Sequence, residues 1–258
     1  MTRALQGKLQ THGPLLAITP FERPDLPLAR ALLRQGIAVA VDIGRDPSIW
    51  PALFADLARP AFAGVGVRIP DAVDVAATQL PVGVGFIVAD TGATLPATWR
   101  EVPRIMQVCS VAEAAAALAA GASGLISKGQ ESGGRVGDDS SFVLLQRLLE
   151  LTRDRHCPVW CQGGMGLHTA AAAFAGGAQG IVIDALLAVL PECGLPADIK
   201  ARVLAMDGSE VSCLAGYQVY ARNLPGGQHG EVPADPTPAE VRAALAGRAP
   251  SPLWPIGQ

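Results

Sequence analysis

Eight short apolar runs, separated by helix-patterned stretches, constrain this chain's fold more than any other feature. They cover residues 15–19, 37–42, 63–69, 82–88, 104–109, 124–127, 158–162 and 180–184. Most are continuous rather than strictly alternating. That is the pattern of strands buried on both faces, hence of a parallel sheet covered by helices. Helical patterning fills 26–35, 49–58, 71–79, 111–120, 141–154 and 167–175. The connection from 88 to 104 is rich in Pro and Thr and is expected to hold little helix. Eight strands with mostly helical crossovers predict an α/β fold, specifically a (β/α)8 TIM barrel with a C-terminal linker and tail. A doubly wound open sheet is the alternative, because periodicity does not report closure.

An internal similarity supports repeated βα units. AALAAGASGLIS (116–127) and AAFAGGAQGIVI (172–183) each end an Ala-rich helix at Gly and enter a short apolar strand. Gly121 and Gly177 are expected in the left-handed conformation after a helix, where a Cβ would be penalised. The barrel is expected to occupy 1–206, with a helix over 195–206. An extension over 207–258 should hold a Pro/Gly-rich linker at 224–237, a short helix at 238–246 and the apolar ending SPLWPIGQ. That ending suggests either a piece excised from a longer protein or a segment that packs against the barrel.

Composition narrows the function classes. Half of the 258 residues are hydrophobic, 17% are charged and the net charge is −3. A nucleic-acid surface normally needs a basic patch, so that class is not expected. No run approaches the roughly 18 apolar residues of a membrane span. The N-terminus lacks the apolar stretch of a secretory signal. The odd count of five cysteines suits a reducing cytoplasm better than a disulfide framework. His12, His156, His168 and His229 lack partners at metal-ligand spacing, so no metal site is expected.

Two glycine-rich loops, each running from a predicted strand to a predicted helix, are the candidate site. In a barrel both fall on the C-terminal face, where active sites lie. The first is SKGQESGGRVGDDSSF (127–142). Gly129, Gly133 and Gly134 allow backbone to approach a ligand, and Lys128, Glu131 and Arg135 supply charge. Ser140 or Asp139 can cap the following helix. The second is QGGMGLH (162–168), where Gly163 and Gly164 offer N–H groups to an anion near a helix start. Asp184, at the end of the eighth strand, opposes such an anion. At an effective dielectric of ~20, a carboxylate ~4 Å from a phosphate charge costs on the order of 4 kcal/mol. Asp184 must therefore point away, bind a cation, or exclude phosphate.

Together these stretches resemble the nitronate monooxygenase family of FMN-binding barrels. Gly129-Gln130-Glu131-Ser132-Gly133-Gly134-Arg135-Val136-Gly137 is similar to its sixth-strand loop, and Gly163-Gly164-Met165 to its seventh. GGAQGIVIDALL (176–187) is similar to its eighth unit, and the likeness is clear over 104–190. The wording KGQESGGRVGDDSSFVLLQ, DGSEVSCLAGYQVYAR and LWPIGQ resembles one branch more closely: the monooxygenase-like domain of bacterial polyketide synthases, related to FMN enoyl reductases. The resemblance implies an FMN cofactor held by Gly129, Gly133, Gly134, Gln162, Gly163, Gly164 and Asp184. It also implies Lys128, Glu131 and Arg135 as catalytic residues, and an acyl-thioester substrate, on an acyl carrier protein beside other synthase domains. Three positions depart from the family pattern. Arg135 replaces a general-base histidine and, always charged, cannot accept a proton. Asp184-Ala185 replaces a phosphate-binding glycine, and Leu16–Pro20 replaces the first-strand motif that closes over the flavin.

Three readings follow. The first is an FMN-dependent oxidoreductase acting on a carrier-borne acyl thioester. The second is a non-flavin barrel binding a phosphopantetheine arm or acyl-CoA. The third is a barrel without chemistry that docks domains of a polyketide synthase.

Overall fold

The computed structural model describes residues 14–220, 235–245 and 253–257. Eight parallel strands close into a barrel: β1 (Leu15–Ile18), β2 (Ala38–Asp42), β3 (Gly66–Ile69), β4 (Phe86–Asp90), β5 (Arg104–Val108), β6 (Gly124–Lys128), β8 (Val159–Gln162) and β9 (Gly180–Ile183). β9 pairs back to β1, with Leu16 beside Val182, which settles closure over the open-sheet alternative. The outer helices are α1 (Leu26–Arg34), α2 (Trp50–Leu57), α3 (Val111–Ala119), α4 (Ser141–Thr152) and α5 (Leu167–Ala175). Each expected strand and most helices are present within a few residues. Gly121 and Gly177 have φ of 83° and 103°, as their helix-exit positions require. Only a single 3-10 turn, Ala97–Glu101, lies between β4 and β5.

The helix expected over 71–79 is absent. Val73 and Val75 are buried while Ala72, Asp74 and Ala76 are exposed, a period of two rather than 3.6. The segment is extended against the loop after β4, with Asp74 bridged to Thr94. The positive φ of Ala72, 55°, breaks a helical run in what would be its first turn.

The strand pleat sorts side chains into two cores. Leu16, Ile18, Ala38, Ala40, Phe86, Val88, Ile105, Ile126, Trp160 and Val182 fill the barrel interior. The alternate residues of the same strands, such as Val39, Val41, Val67 and Ile87, pack outward against helices. The Trp160 indole needs small neighbours. A Cβ on Gly124 would lie 2.8 Å from its ring, and one on Gly180 would lie 2.6 Å away.

After β9 the chain makes a 3-10 turn (Ala185–Val189), α6 (Ala197–Ala205), a hairpin of β10 (Val211–Leu214) and β11 (Tyr217–Tyr220), and α7 (Pro238–Leu245). The hairpin was not foreseen. Its β11 pairs with β7 (Gly134–Arg135), a two-residue strand inside the first glycine loop. Most of the expected linker lies outside the described residues, as do His12 and His229. The apolar ending folds back: Leu253, Trp254 and Ile256 are buried. Trp254 stacks between Phe21 and Tyr220, with ring centroids 5.6 and 5.4 Å away. None of the five cysteines is in a disulfide. Among the described residues no helix is long and apolar enough to cross a membrane, and no group of metal-binding side chains is present.

Trp254→Ala removes both stacks and leaves a cavity beneath the tail. The expected loss is about 3–5 kcal/mol of unfolding free energy, read by urea denaturation.

Candidate active site

The C-terminal mouth of the barrel is built by strand parity. Residues 38 and 40 of β2 point inward, so Asp42 does too; the same count applies to Arg68, Asp90, Gln107, Lys128, Gln162 and Asp184. Seven of the eight strand ends thus place a polar or charged side chain in one layer above the apolar interior. Sequence reading singled out only Lys128, Gln162 and Asp184 of these seven. The signal was partly present: the runs ending at 42, 162 and 184 close on Asp42, Gln162 and Asp184, all of inward parity.

Arg68 is the hub. It is 4% exposed and donates to Asp42 at 2.7 Å, Glu22 at 3.2 Å, Asp90 at 3.3 Å and Gln107 at 3.0 Å. Glu22 arrives from the loop after β1. Phe21 and Glu22 hold φ of 64° and 49°, a left-handed pair that non-glycine residues adopt only when the surroundings fix them. The turn sends Phe21 to Trp254 and Glu22 between Arg45 and Arg68. Arg45 also donates to Asp71, and Asp71 accepts the Tyr217 hydroxyl of β11. The network therefore runs from the mouth to the C-terminal hairpin.

These contacts set the charge states. Burial opposes ionisation of Glu22, but the adjacent Arg45 and Arg68 hold its carboxyl below its ordinary value. Asp42 shifts the other way: burial and the neighbouring Glu22 charge outweigh its single guanidinium. Asp71 is buried too, yet Arg45 and the Tyr217 hydroxyl hold it low. Burial and Asp71 push the Tyr217 hydroxyl up to about 12. Arg68 and Arg45 stay charged, held by their carboxylates against burial.

Of the expected catalytic trio, Lys128 and Arg135 meet on Asp90, while Glu131 stands apart. Lys128 is 1% exposed and faces the mouth, its Nζ 3.9 Å from Asp90. Arg135 turns outward from β7 to bridge Asp90 and Glu113, and is held by Thr91 as well. Glu131 caps α4, accepting from the Ser141 amide at 2.8 Å and its hydroxyl at 2.7 Å. Ser140 accepts from Val143, as its expected capping role requires. Gln162 links Gln107 to Asp184, each at 2.7 Å. Asp184 also accepts from Ala185 N–H at 2.6 Å, capping the 3-10 turn that follows.

Two spaces remain. A void of about 30 Å³ lies in the mouth among Arg68, Lys128, Gln107, Gln162 and Glu22, closed above by Gly133 and Pro255. That is room for roughly one water. A cavity of about 720 Å³ opens beside it, between the loops after β6, β8 and β9 and the C-terminal segments. Met165, Val182, Ile183, Leu186, Val203 and Met206 form its apolar wall. Glu131, Ser132, Asp184 and Asp207 are polar, and among the described residues no Lys, Arg or His lines it.

FMN does not fit this arrangement. Its ring would need the mouth, where protein leaves space for one water. Its phosphate would need free N–H groups and cations near Gly163 and Gly164. The Gly166, Ala185 and Ser141 amides already serve Thr169, Asp184 and Glu131, which leaves the Gly163, Gly164 and Met165 amides to meet a phosphate without a cationic side chain in the cavity wall. Three carboxylates line the cavity without a cationic side chain. Gly163 and Gly164, at φ 109° and 61°, form the turn after β8; a Cβ on Gly163 would lie 2.6 Å from both the Ser132 and Ser141 hydroxyls. Gly129 and Gly133 are likewise filled against, packing on Ser141 and on Pro255. Gly134, at φ 77°, starts β7.

Arg68→Ala strips three buried carboxylates of a shared partner and is expected to cost about 3–5 kcal/mol, read by chemical denaturation. The Tyr217 hydroxyl titrates higher in the folded chain than its ordinary value of 10. The folded state thus holds a proton between pH 10 and about 12, and stability falls as pH rises through that window. Tyr217→Phe is expected to flatten that fall in pH-dependent melting curves. Glu22 and Asp71 act in the opposite sense: their contribution is present above their ordinary values of 4.5 and 3.8 and is lost as pH falls below them.

The fold is shared with several solved structures. FabK from Thermotoga maritima matches with a TM-score of 0.67 at 19% identity, over 84% of this chain and 73% of that one. A nitroalkane oxidase from Streptomyces ansochromogenes matches at 0.64 and 18%, over 83% and 78%. The enoyl reductase domain of MlnA, from the macrolactin biosynthesis cluster of Bacillus amyloliquefaciens, matches at 0.61 and 14%, over 84% and 65%. No curated protein matches the sequence. Residues 73–227, more than half of the chain and including both glycine loops, match the nitronate monooxygenase family. By that match over the very loops that build the mouth and its side cavity, the chain belongs to the nitronate monooxygenase family.

Proposed function

We propose that this chain is a flavin-free barrel of its family that holds an acyl thioester, presented on a carrier protein, in the cavity beside β6, β8 and β9. One observation carries the reading. The mouth is filled by the Arg68 network and covered by the tail, while about 720 Å³ stays open next to it behind an apolar wall. That volume lies within the roughly 300–1,000 Å³ of small-molecule sites. An apolar wall with few polar groups suits an acyl chain and its pantetheine arm better than a flavin phosphate. The fold likeness to an enoyl reductase domain from a macrolactin biosynthesis cluster supports an assembly-line setting with other synthase domains. In this reading Lys128 and Arg135 hold the mouth together through Asp90, and Glu131 holds α4.

An FMN-dependent oxidoreductase acting on the same thioester is the second reading, favoured by the family match and by Gly163–Gly164. It requires the segment 253–257 to leave the mouth.

The experiment is an FMN titration of the purified chain, followed by absorption and by flavin fluorescence. The expected result is a colourless protein that leaves added FMN unquenched. A yellow protein, or stoichiometric quenching, supports the second reading and overturns the first.

A further inference from the structure

Among the described residues, Ser132 carries a buried side-chain hydroxyl in the cavity wall that has no partner. It is 2% exposed, and its Oγ has no hydrogen-bond partner. Its amide is satisfied by the Gly129 carbonyl at 3.0 Å, so the backbone is fixed while the hydroxyl is idle. The Oγ rests against Gly163, where only a glycine leaves it room. Buried hydroxyls nearly always find a partner, and one without it is destabilising. Ser132 and Gly163 both line the cavity, so the unpartnered Oγ stands at its wall, and reaching a ligand there would take a change of χ1 rotamer.

The groups around it define the ligand. Glu131 and Asp184 are acceptors held in place by Ser141 and by Ala185 and Gln162. Neither has a cation beside it in the cavity wall. An anion entering here meets two carboxylates, while the nearest cations, Lys128 and Arg68, face the adjoining mouth void. A secondary amide or thioester meets the reverse: its carbonyl needs a donor, which Ser132 supplies, and an amide N–H needs an acceptor, which the carboxylates supply.

We infer that the cavity takes the uncharged, amide- and thioester-bearing part of an acyl-pantetheine arm, with Ser132 Oγ donating to a ligand carbonyl and the arm's phosphate left outside. This rests on the acyl-thioester reading and names the part of the ligand that the site reads.

The test uses butyryl-pantetheine and its phosphorylated form, with binding followed by calorimetry on the full chain and on Ser132→Ala. The unphosphorylated thioester is expected to bind at least as tightly as the phosphorylated one. Ser132→Ala is expected to weaken both about three- to tenfold, the worth of one hydrogen bond. Its own melting temperature should stay level or rise, because an idle buried hydroxyl is removed. A merely structural serine would lower the melting temperature and leave binding alone. If the thioesters bind but Ser132→Ala stays within about twofold of the parent, or the phosphorylated form binds about tenfold tighter, the inference falls and the acyl-thioester reading stands. If neither thioester binds the parent chain, that reading falls with it.

Discussion

The buried guanidinium of Arg68 is the constraint on which the rest of the structure depends. A charge with so little exposure is tolerable only when surrounded by acceptors, and Arg68 draws them from four elements: Glu22 after β1, Asp42 on β2, Asp90 on β4 and Gln107 on β5. Those acids in turn need cations. Glu22 and Asp71 share Arg45, and Asp90 takes Arg135 and Lys128. The result is one connected polar layer that sits where other barrels of this architecture place their ligands. It ties strand ends that are far apart in sequence.

The C-terminal segments are part of the same device. Tyr217 hangs on Asp71, β11 pairs with β7 inside the first glycine loop, and Trp254 is held between Phe21 and Tyr220. Gly133 and Gly257 let the tail lie directly on the loop after β6, where a Cβ on Gly133 would strike the Pro255 backbone and one on Gly257 the Glu131 backbone. The mouth is thus shut by contacts that are individually ordinary. Their consequence is chemical: among the described residues, the large opening beside the mouth is lateral, apolar and acidic. The glycine loops, which in sequence suggest anion binding, serve here as close-packing surfaces for Ser141, Ser132 and Pro255.

Much of the fold was legible along the chain. Continuous apolar runs, Gly at helix exits and capping serines each report local geometry, and local geometry is set by neighbours within a few residues. The misread helix at 71–79 shows the limit. Val73 and Val75 satisfy a short helical count or a period of two, and only the pairing with Thr94 chooses between them. Both glycine loops border the side cavity, but of the trio only Lys128 and Arg135 meet, on Asp90, while Glu131 caps α4. Spacing along a loop does not say which side of it a side chain takes, and β7, which carries Arg135 to Asp90 and Glu113, forms by pairing with a strand more than eighty residues later.

The sequence by itself determined a succession of βα units and three of the polar residues that crown them, Lys128, Gln162 and Asp184. With the strands in place, each inward residue lies two after the last, so the pleat assigns Asp42, Arg68, Asp90, Gln107, Lys128 and Gln162 to one layer. Tertiary structure alone decided that this layer neutralises itself, that the tail covers it, and that the open space lies to the side. Those outcomes depend on closure of β9 on β1 and on where the last residues settle, and both bring together groups far apart in the chain, whose pairing no local propensity encodes.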